Sequence, residues 1–126
     1  MRHILLLTTG GTIACRDSGH GLAPALTAED LLAAVPSVTR VCEVTTRPLF
    51  NLDSTDMTPK EWTVVAAAVR EAYEEYDGFV ITHGTDTMAY TASALSYLVQ
   101  GSPKPIVLTG AQKPIGFDTT DSKLNL

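Results

Sequence analysis

The sequence has few cysteines, no excess of basic residues and no long apolar run, and each shortage excludes a class of protein. Two of its 126 residues are cysteine, fewer than a disulfide framework or a zinc site requires. Lysine and arginine number 9 against 14 acidic residues, which disfavours nucleic acid as a partner because phosphate binding needs a basic patch. No apolar stretch approaches the length of a membrane span. We therefore expect a soluble protein with neither a nucleic-acid nor a membrane partner.

The N-terminus and the two cysteines indicate the compartment. The first apolar run is short and passes directly into Thr9-Gly10-Gly11, unlike a secretory signal with its cleavage site. Cys15 and Cys42 are far apart in the sequence, and we favour two reduced thiols over a single disulfide bridge. Both observations favour a cytoplasmic protein.

Apolar segments alternate along the chain with amphipathic ones, over a length that suits one domain. Short apolar runs predict strands at residues 4–8, 79–81 and 106–108, and the β-branched residues of 39–45 predict a further strand there. Helical spacing predicts helices at residues 27–35, 58–76 and 88–99, and the glycines and proline of residues 10–26 predict a long loop. Thr27 and Thr58 each precede an acidic residue by three positions, which is the pattern of a capping box.

Buried strands that alternate with helices predict an α/β fold with a parallel sheet, flavodoxin- or Rossmann-like, in three layers. Ligand sites in such sheets lie at the carboxyl ends of the strands. Polar loops rich in small residues follow the strands at residues 9–12, 51–56, 82–86 and 109–112. Residues 121–126 look like the first turn of a helix, so we expect residues 1–126 to be an incomplete domain.

Thr12 is the first candidate for chemistry, because it follows a strand and two glycines. Glycine lets a ligand approach the main chain, and the amide groups of such a turn can form an oxyanion hole. The hydroxyl of Thr12 would be the nucleophile, which at neutral pH needs a neighbouring base or proton relay.

Thr85 and Asp86 offer such a relay after the third predicted strand. The alternative is that either residue merely caps the helix that follows, and that Gly10-Gly11 is only a tight turn. We interpret His83 as a structural, hydrogen-bonding histidine, and we assign neither a metal nor a cofactor. A dinucleotide site is disfavoured, because the spacing Gly-x-Gly-x-x-Gly is absent after the first strand.

Two segments resemble the signatures of the L-asparaginase and glutaminase family, residues 6–14 (LLTTGGTIA) and residues 78–88 (GFVITHGTDTM). The resemblance extends from residue 5 to the end of the chain. Residues 88–96 (MAYTASALS) resemble the cytosolic, type I branch. The resemblance implies the N-terminal domain of that family, with a second domain outside these residues, and a homodimer or homotetramer at full length.

The resemblance also implies roles for individual residues. Thr12 would attack the side-chain amide and form an acyl-enzyme, while Thr85 and Asp86 work with a lysine that lies beyond Leu126. Residues 53–57 (DSTDM) match the family's substrate loop, and many members carry a tyrosine where this chain has Leu22. The residues implied to bind substrate are Ser54, Thr55, Gly84, Asp86 and Ala111.

The resemblance thus predicts an amidohydrolase that converts L-asparagine into L-aspartate and ammonia. L-glutamine would be a second, less preferred substrate. We expect residues 1–126 alone to be inactive. Two alternatives stay open: the amidase subunit of an amidotransferase that supplies ammonia for tRNA charging, and a domain that binds an amino acid without turning it over.

Overall fold

A computed structural model describes residues 1–126, except the side chains of residues 23 and 24. The strands are β1 (Arg2–Gly10), β2 (Cys15–Asp17), β3 (Leu22–Pro24), β4 (Cys42–Leu52), β5 (Gly78–Thr82) and β6 (Ile106–Thr109). The α-helices are α1 (Ala28–Ala33), α2 (Pro59–Glu71), α3 (Met88–Leu98) and α4 (Ser122–Asn125). Single 3-10 turns span Thr12–Ala14, Val38–Arg40 and Ser54–Asp56.

Four strands form one parallel sheet in the order β4-β1-β5-β6. The strands β2 and β3 lie outside this sheet. When the four sheet strands are numbered along the chain, their order is 2-1-3-4, as in flavodoxin-like sheets. The chain reverses its direction of winding between β1 and β5, so the ends of these two strands flank the topological switch point. The predicted α/β fold with a parallel sheet is confirmed.

One face of the sheet is covered by α2 and α3, which bury the main core. Leu5, Leu7, Phe79 and Ile81 of the central strands pack there against Val65, Val69 and Leu95 of the helices. Alternate residues of a strand point to opposite faces, so the intervening side chains belong to the other side. Two capping boxes fix the starts of α1 and α2, as predicted for Thr27 and Thr58.

The opposite face carries α1 and a second apolar cluster. Leu31 and Val35 pack there with Ile13 and Ile115, close to the ends of the strands. Beside this cluster an apolar groove of about 230 Å³ runs over Leu6 of the sheet. Within the described residues, none of the helices combines the length and the apolar character that a bilayer crossing requires.

Three predicted elements differ from the structure. Residues 10–26 are not a plain loop, because β2 and β3 form an antiparallel hairpin there. The second sheet strand begins at Cys42 rather than at residue 39 and continues to Leu52, beyond the predicted end at 45. It includes Pro48, which lacks an N–H group and is tolerated because β4 lies at the edge of the sheet. Helix α2 ends at Glu71 instead of residue 76.

Candidate active site

The loops that follow the sheet strands meet at one edge because the strands end in register. Thr8 of β1 pairs with Thr82 of β5, and Thr82 pairs with Thr109 of β6. The next residues of all three strands therefore start at the same level. These loops, together with residues of β2, β3, β4 and the loop after β4, surround a cavity of about 360 Å³. The lining residues are Gly11, Thr12, Cys15, Leu22, Leu52, Asp53, Ser54, Gly84, Thr85, Asp86 and Gln112.

The backbones of three loops are in direct contact in this cavity, and two glycines make the contacts possible. Gly11 has φ +83° and ψ 173°, a conformation that is essentially restricted to glycine. A Cβ atom on Gly11 would lie 2.6 Å from the backbone nitrogen of Gly84. A Cβ atom on Gly84 would in turn lie 2.6 Å from the hydroxyl oxygen of Ser54. The loops after β1, β5 and β4 thus form one continuous wall.

Thr12 begins the 3-10 turn that leaves this wall. The turn is closed by the N–H of Ala14, which donates to the Gly11 carbonyl at 3.1 Å. The N–H of Gly11 donates to the carbonyl of Leu52 at 3.1 Å. The prediction that the amides of the glycine turn form an oxyanion hole is therefore wrong for Gly11, whose N–H is taken up by the neighbouring loop.

Thr85 and Asp86 also line the cavity, in the loop after β5. The helix α3 begins at Met88 with Thr87 in the N-cap position, so neither predicted residue occupies the cap. The hydroxyl of Thr87 instead donates to the carbonyl of Ser54 at 2.7 Å and ties the two loops together. The alternative of a purely capping role for Thr85 or Asp86 is thus not supported.

His83 is fully buried directly before this pair and is held by a chain of hydrogen bonds. Its Nδ1 lies 2.7 Å from the carbonyl of Gly84, which accepts only, so Nδ1 carries the hydrogen. Its Nε2 lies 2.8 Å from the hydroxyl of Thr91, which also accepts a hydrogen bond from Trp62 Nε1 at 2.9 Å. The Thr91 hydroxyl is thus shared between the imidazole of His83 and the indole of Trp62, and it gives a ring nitrogen of each a partner. The contacts agree with the structural role predicted for His83.

We expect the substitution Thr91→Val, in the complete protein that contains this chain, to lower the free energy of unfolding by about 2 kcal/mol. Valine keeps the shape of threonine but leaves His83 Nε2 and Trp62 Nε1 without a partner. Unfolding in urea measures the loss, and Thr91→Ser, which keeps the hydroxyl, is the matched control. Equal stability of the valine and serine variants would contradict this account of the network.

The loop after β4 carries two predicted substrate-binding residues, Ser54 and Thr55, and only one of them faces the cavity. Ser54 is buried and lines the cavity, whereas Thr55 does not line it. The N–H and the hydroxyl of Thr55 both donate to Asp53 Oδ1, at 2.9 and 2.8 Å. The Thr55 N–H, followed by its hydroxyl, lowers the pKa of the Asp53 carboxyl from its ordinary value. Thr55 thus supports a carboxylate that does line the cavity.

Ala111, the remaining predicted residue, is buried in the second apolar cluster and is not among the lining residues.

Three lining residues that the sequence did not single out as functional are Asp53, Cys15 and Gln112. Burial, and then the nearby charge of Asp53, raises the pKa of the Cys15 thiol. All three stand within four residues of a predicted site residue, but sequence spacing alone does not show which side chains face the cavity.

The charged side chains of the cavity wall are the carboxylates of Asp53 and Asp86. A wall with two carboxylates favours a ligand that carries a positive charge, such as the ammonium group of an amino acid. Among the residues with described side chains, no three histidines, cysteines or acidic residues are grouped closely enough to hold a metal ion. Cys15 and Cys42 are both free thiols.

Comparisons with known proteins show what the chain is similar to. Residues 3–126 match the family model described as "Asparaginase, N-terminal". The chain is 46% identical over 125 residues to the L-asparaginase of Thermococcus kodakarensis, covering 98% of this chain and 38% of that protein. It is 44% identical over 129 residues to a glutamyl-tRNA(Gln) amidotransferase subunit of Methanococcus vannielii, covering 100% of this chain and 30% of that protein.

The fold is also that of a solved structure. L-asparaginase I from Vibrio cholerae superposes with a TM-score of 0.88 at 40% identity, covering 98% of this chain and 38% of that chain. The chain therefore spans well under half the length of the relatives that it matches.

Proposed function

The chain belongs to the asparaginase family, and we propose that the protein containing it hydrolyses L-asparagine to L-aspartate and ammonia. One observation carries the proposal. Thr12 follows β1, Thr85 and Asp86 follow β5, and all three line one cavity at the switch point of the sheet. A hydroxyl nucleophile beside a second hydroxyl and a carboxylate is a grouping that amide hydrolysis through an acyl-enzyme can use.

In the proposed first step the Thr12 oxygen attacks the side-chain amide carbon of asparagine. The carbon–nitrogen bond breaks, the hydroxyl proton passes to the leaving nitrogen by way of Thr85, and ammonia departs. In the second step water attacks the resulting ester, aspartate leaves and Thr12 regains its proton. A lysine from the part of the protein beyond residue 126, which the family resemblance implies, would complete the relay with Thr85 and Asp86.

The other predicted residues would orient the substrate or support the loops that do. We assign the α-ammonium group to the Asp86 carboxylate, because Asp86 lines a cavity whose charges are negative. Ser54 would hold the α-carboxylate, and the backbone of Gly84 would border the substrate where the loops meet. Thr55, whose N–H and hydroxyl both donate to Asp53, would act by holding this loop in shape. Ala111, which is buried in the second apolar cluster, would support the loop after β6 by packing rather than touch the substrate. Asparagine is the preferred substrate in this proposal, and the protein acts in the cytoplasm as a homodimer or homotetramer.

The test is the release of ammonia by the complete protein from L-asparagine and, separately, from L-glutamine. We expect turnover of both or of asparagine alone, with the larger kcat/KM for asparagine. A folded protein that binds aspartate in calorimetry but releases no ammonia would replace this proposal with that of an amino-acid-binding domain.

A second function is favoured by the similarity to the amidotransferase subunit. In that case the same nucleophile would release ammonia for the amidation of an aminoacyl-tRNA, and free asparagine would be a poor substrate. Ammonia release that depends on a partner subunit and a charged tRNA would distinguish this function from free asparagine hydrolysis.

A further inference from the structure

We propose that Gln112 is a positioning residue that fixes the direction of the Thr85 hydroxyl, an inference that rests on the proposed function. Gln112 lies in the loop after β6 and lines the same cavity as Thr12 and Thr85. Its Nε2 donates a hydrogen bond to Thr85 Oγ1 at 3.2 Å. The contact joins two loops that follow different strands of the sheet.

The direction of this hydrogen bond matters for the relay. The amide nitrogen of Gln112 is a donor only, so the Thr85 oxygen must be the acceptor. The hydrogen of the Thr85 hydroxyl is then left to donate elsewhere. The donor also stabilises negative charge on the Thr85 oxygen at the moment when that hydrogen is passed on. Both effects, the free hydroxyl hydrogen and the stabilised negative charge, would make it easier for Thr85 to pass on one proton and receive another.

Hydrogen bonds with residues 121–125 hold the backbone of the loop that contains Gln112. The two carboxylate oxygens of Asp121 accept the N–H groups of Gln112 at 2.9 Å and Lys113 at 3.1 Å. These N–H groups, that of Gln112 first, lower the pKa of the Asp121 carboxyl. Asn125 Nδ2 donates to the carbonyl of Gly110 at 2.8 Å. The loop is therefore fixed at both ends, so the side chain of Gln112 reaches Thr85 from a rigid base.

The first test compares Gln112→Met with the wild type in the complete protein. Methionine keeps the length of the side chain but removes the donor. We expect kcat for L-asparagine to fall about tenfold, the worth of one hydrogen bond, while KM and the melting temperature stay unchanged. The matched control is Lys113→Met, because the Lys113 Nζ donates to Thr119 outside the cavity. That variant is expected to keep the wild-type kcat.

The second test reverses the hydrogen bond. In Gln112→Glu the ionised carboxylate can only accept, so the Thr85 hydroxyl turns towards residue 112. We expect a larger loss of kcat than in the methionine variant at neutral pH. Below about pH 4.3 the glutamate becomes protonated and can donate again, so the ratio of variant to wild-type activity should rise as the pH falls. A merely structural role for Gln112 would not produce this pH dependence.

The outcomes separate the two proposals. An active wild type together with an equally active Gln112→Met variant would overturn the role of Gln112 and leave the proposed function intact. A Gln112→Glu variant whose pH profile parallels that of the wild type would overturn it as well. A folded wild type that releases no ammonia would instead refute the proposed function.

Discussion

We expect the substitution Thr12→Ala to lower kcat for L-asparagine in the complete protein by at least about a thousandfold, the scale seen when a covalent nucleophile is removed. The expected effect on stability is small. Thr12 is only partly buried, at the start of a 3-10 turn whose closing hydrogen bonds use backbone groups. Ammonia release measures the first effect, and thermal unfolding of the same preparation measures the second.

Thr12→Ser is the matched control, because serine keeps the hydroxyl and loses only a methyl group. We expect this variant to retain measurable turnover. If alanine and serine variants lost activity equally, or if alanine at this position left kcat within tenfold of the wild type, another group would have to be the nucleophile.

The substitution Gly11→Ala is expected to lower the free energy of unfolding by about 3 kcal/mol and to abolish most of the activity. Two causes add up. The backbone angles of Gly11 are costly for any residue with a Cβ atom, and that atom would lie 2.6 Å from the backbone nitrogen of Gly84. The added atom would meet backbone atoms, which cannot rotate away as a side chain can, so the loops that carry Thr12 and Thr85 must move apart.

A second glycine separates the two causes. Gly19 has φ +79°, close to the φ of Gly11, but a Cβ atom there meets nothing within 4 Å. Gly19→Ala should therefore show backbone strain without the clash, with a smaller loss of stability and little loss of activity. Urea unfolding and ammonia release of both variants make the comparison. Equal effects at the two positions would mean that the contact between Gly11 and Gly84 does not hold the cavity together.

The sequence predicts the architecture well because the strands of the parallel sheet are buried. Buried strands appear as short apolar runs, and the helices between them begin with capping boxes at Thr27 and Thr58. The prediction fails where these patterns are missing. Strand β4 lies at the edge of the sheet, and its exposed and half-buried residues alternate without an apolar run. The hairpin of β2 and β3 is too short to leave a periodic pattern.

The site is predictable to the level of the loops but not to the level of each side chain. The parallel sheet brings the loops of Thr12, Ser54 and Thr85 to one edge, and these residues do line one cavity. Whether Asp53 or Thr55 faces that cavity depends on a hydrogen bond between the two. The place of Gln112 depends on the last residues of the chain folding back to hold its loop, a long-range contact without a sequence pattern.

The central claim is that Thr12 forms an ester with the substrate. The most direct measurement mixes the complete protein with L-asparagine, quenches the reaction in acid within the first turnovers and analyses the peptides by mass spectrometry. The account predicts one added aspartyl group on the peptide that contains Thr12, and none on the same peptide of the Thr12→Ala variant. An aspartyl group on a different side chain, with the Thr12 peptide unmodified, would contradict it.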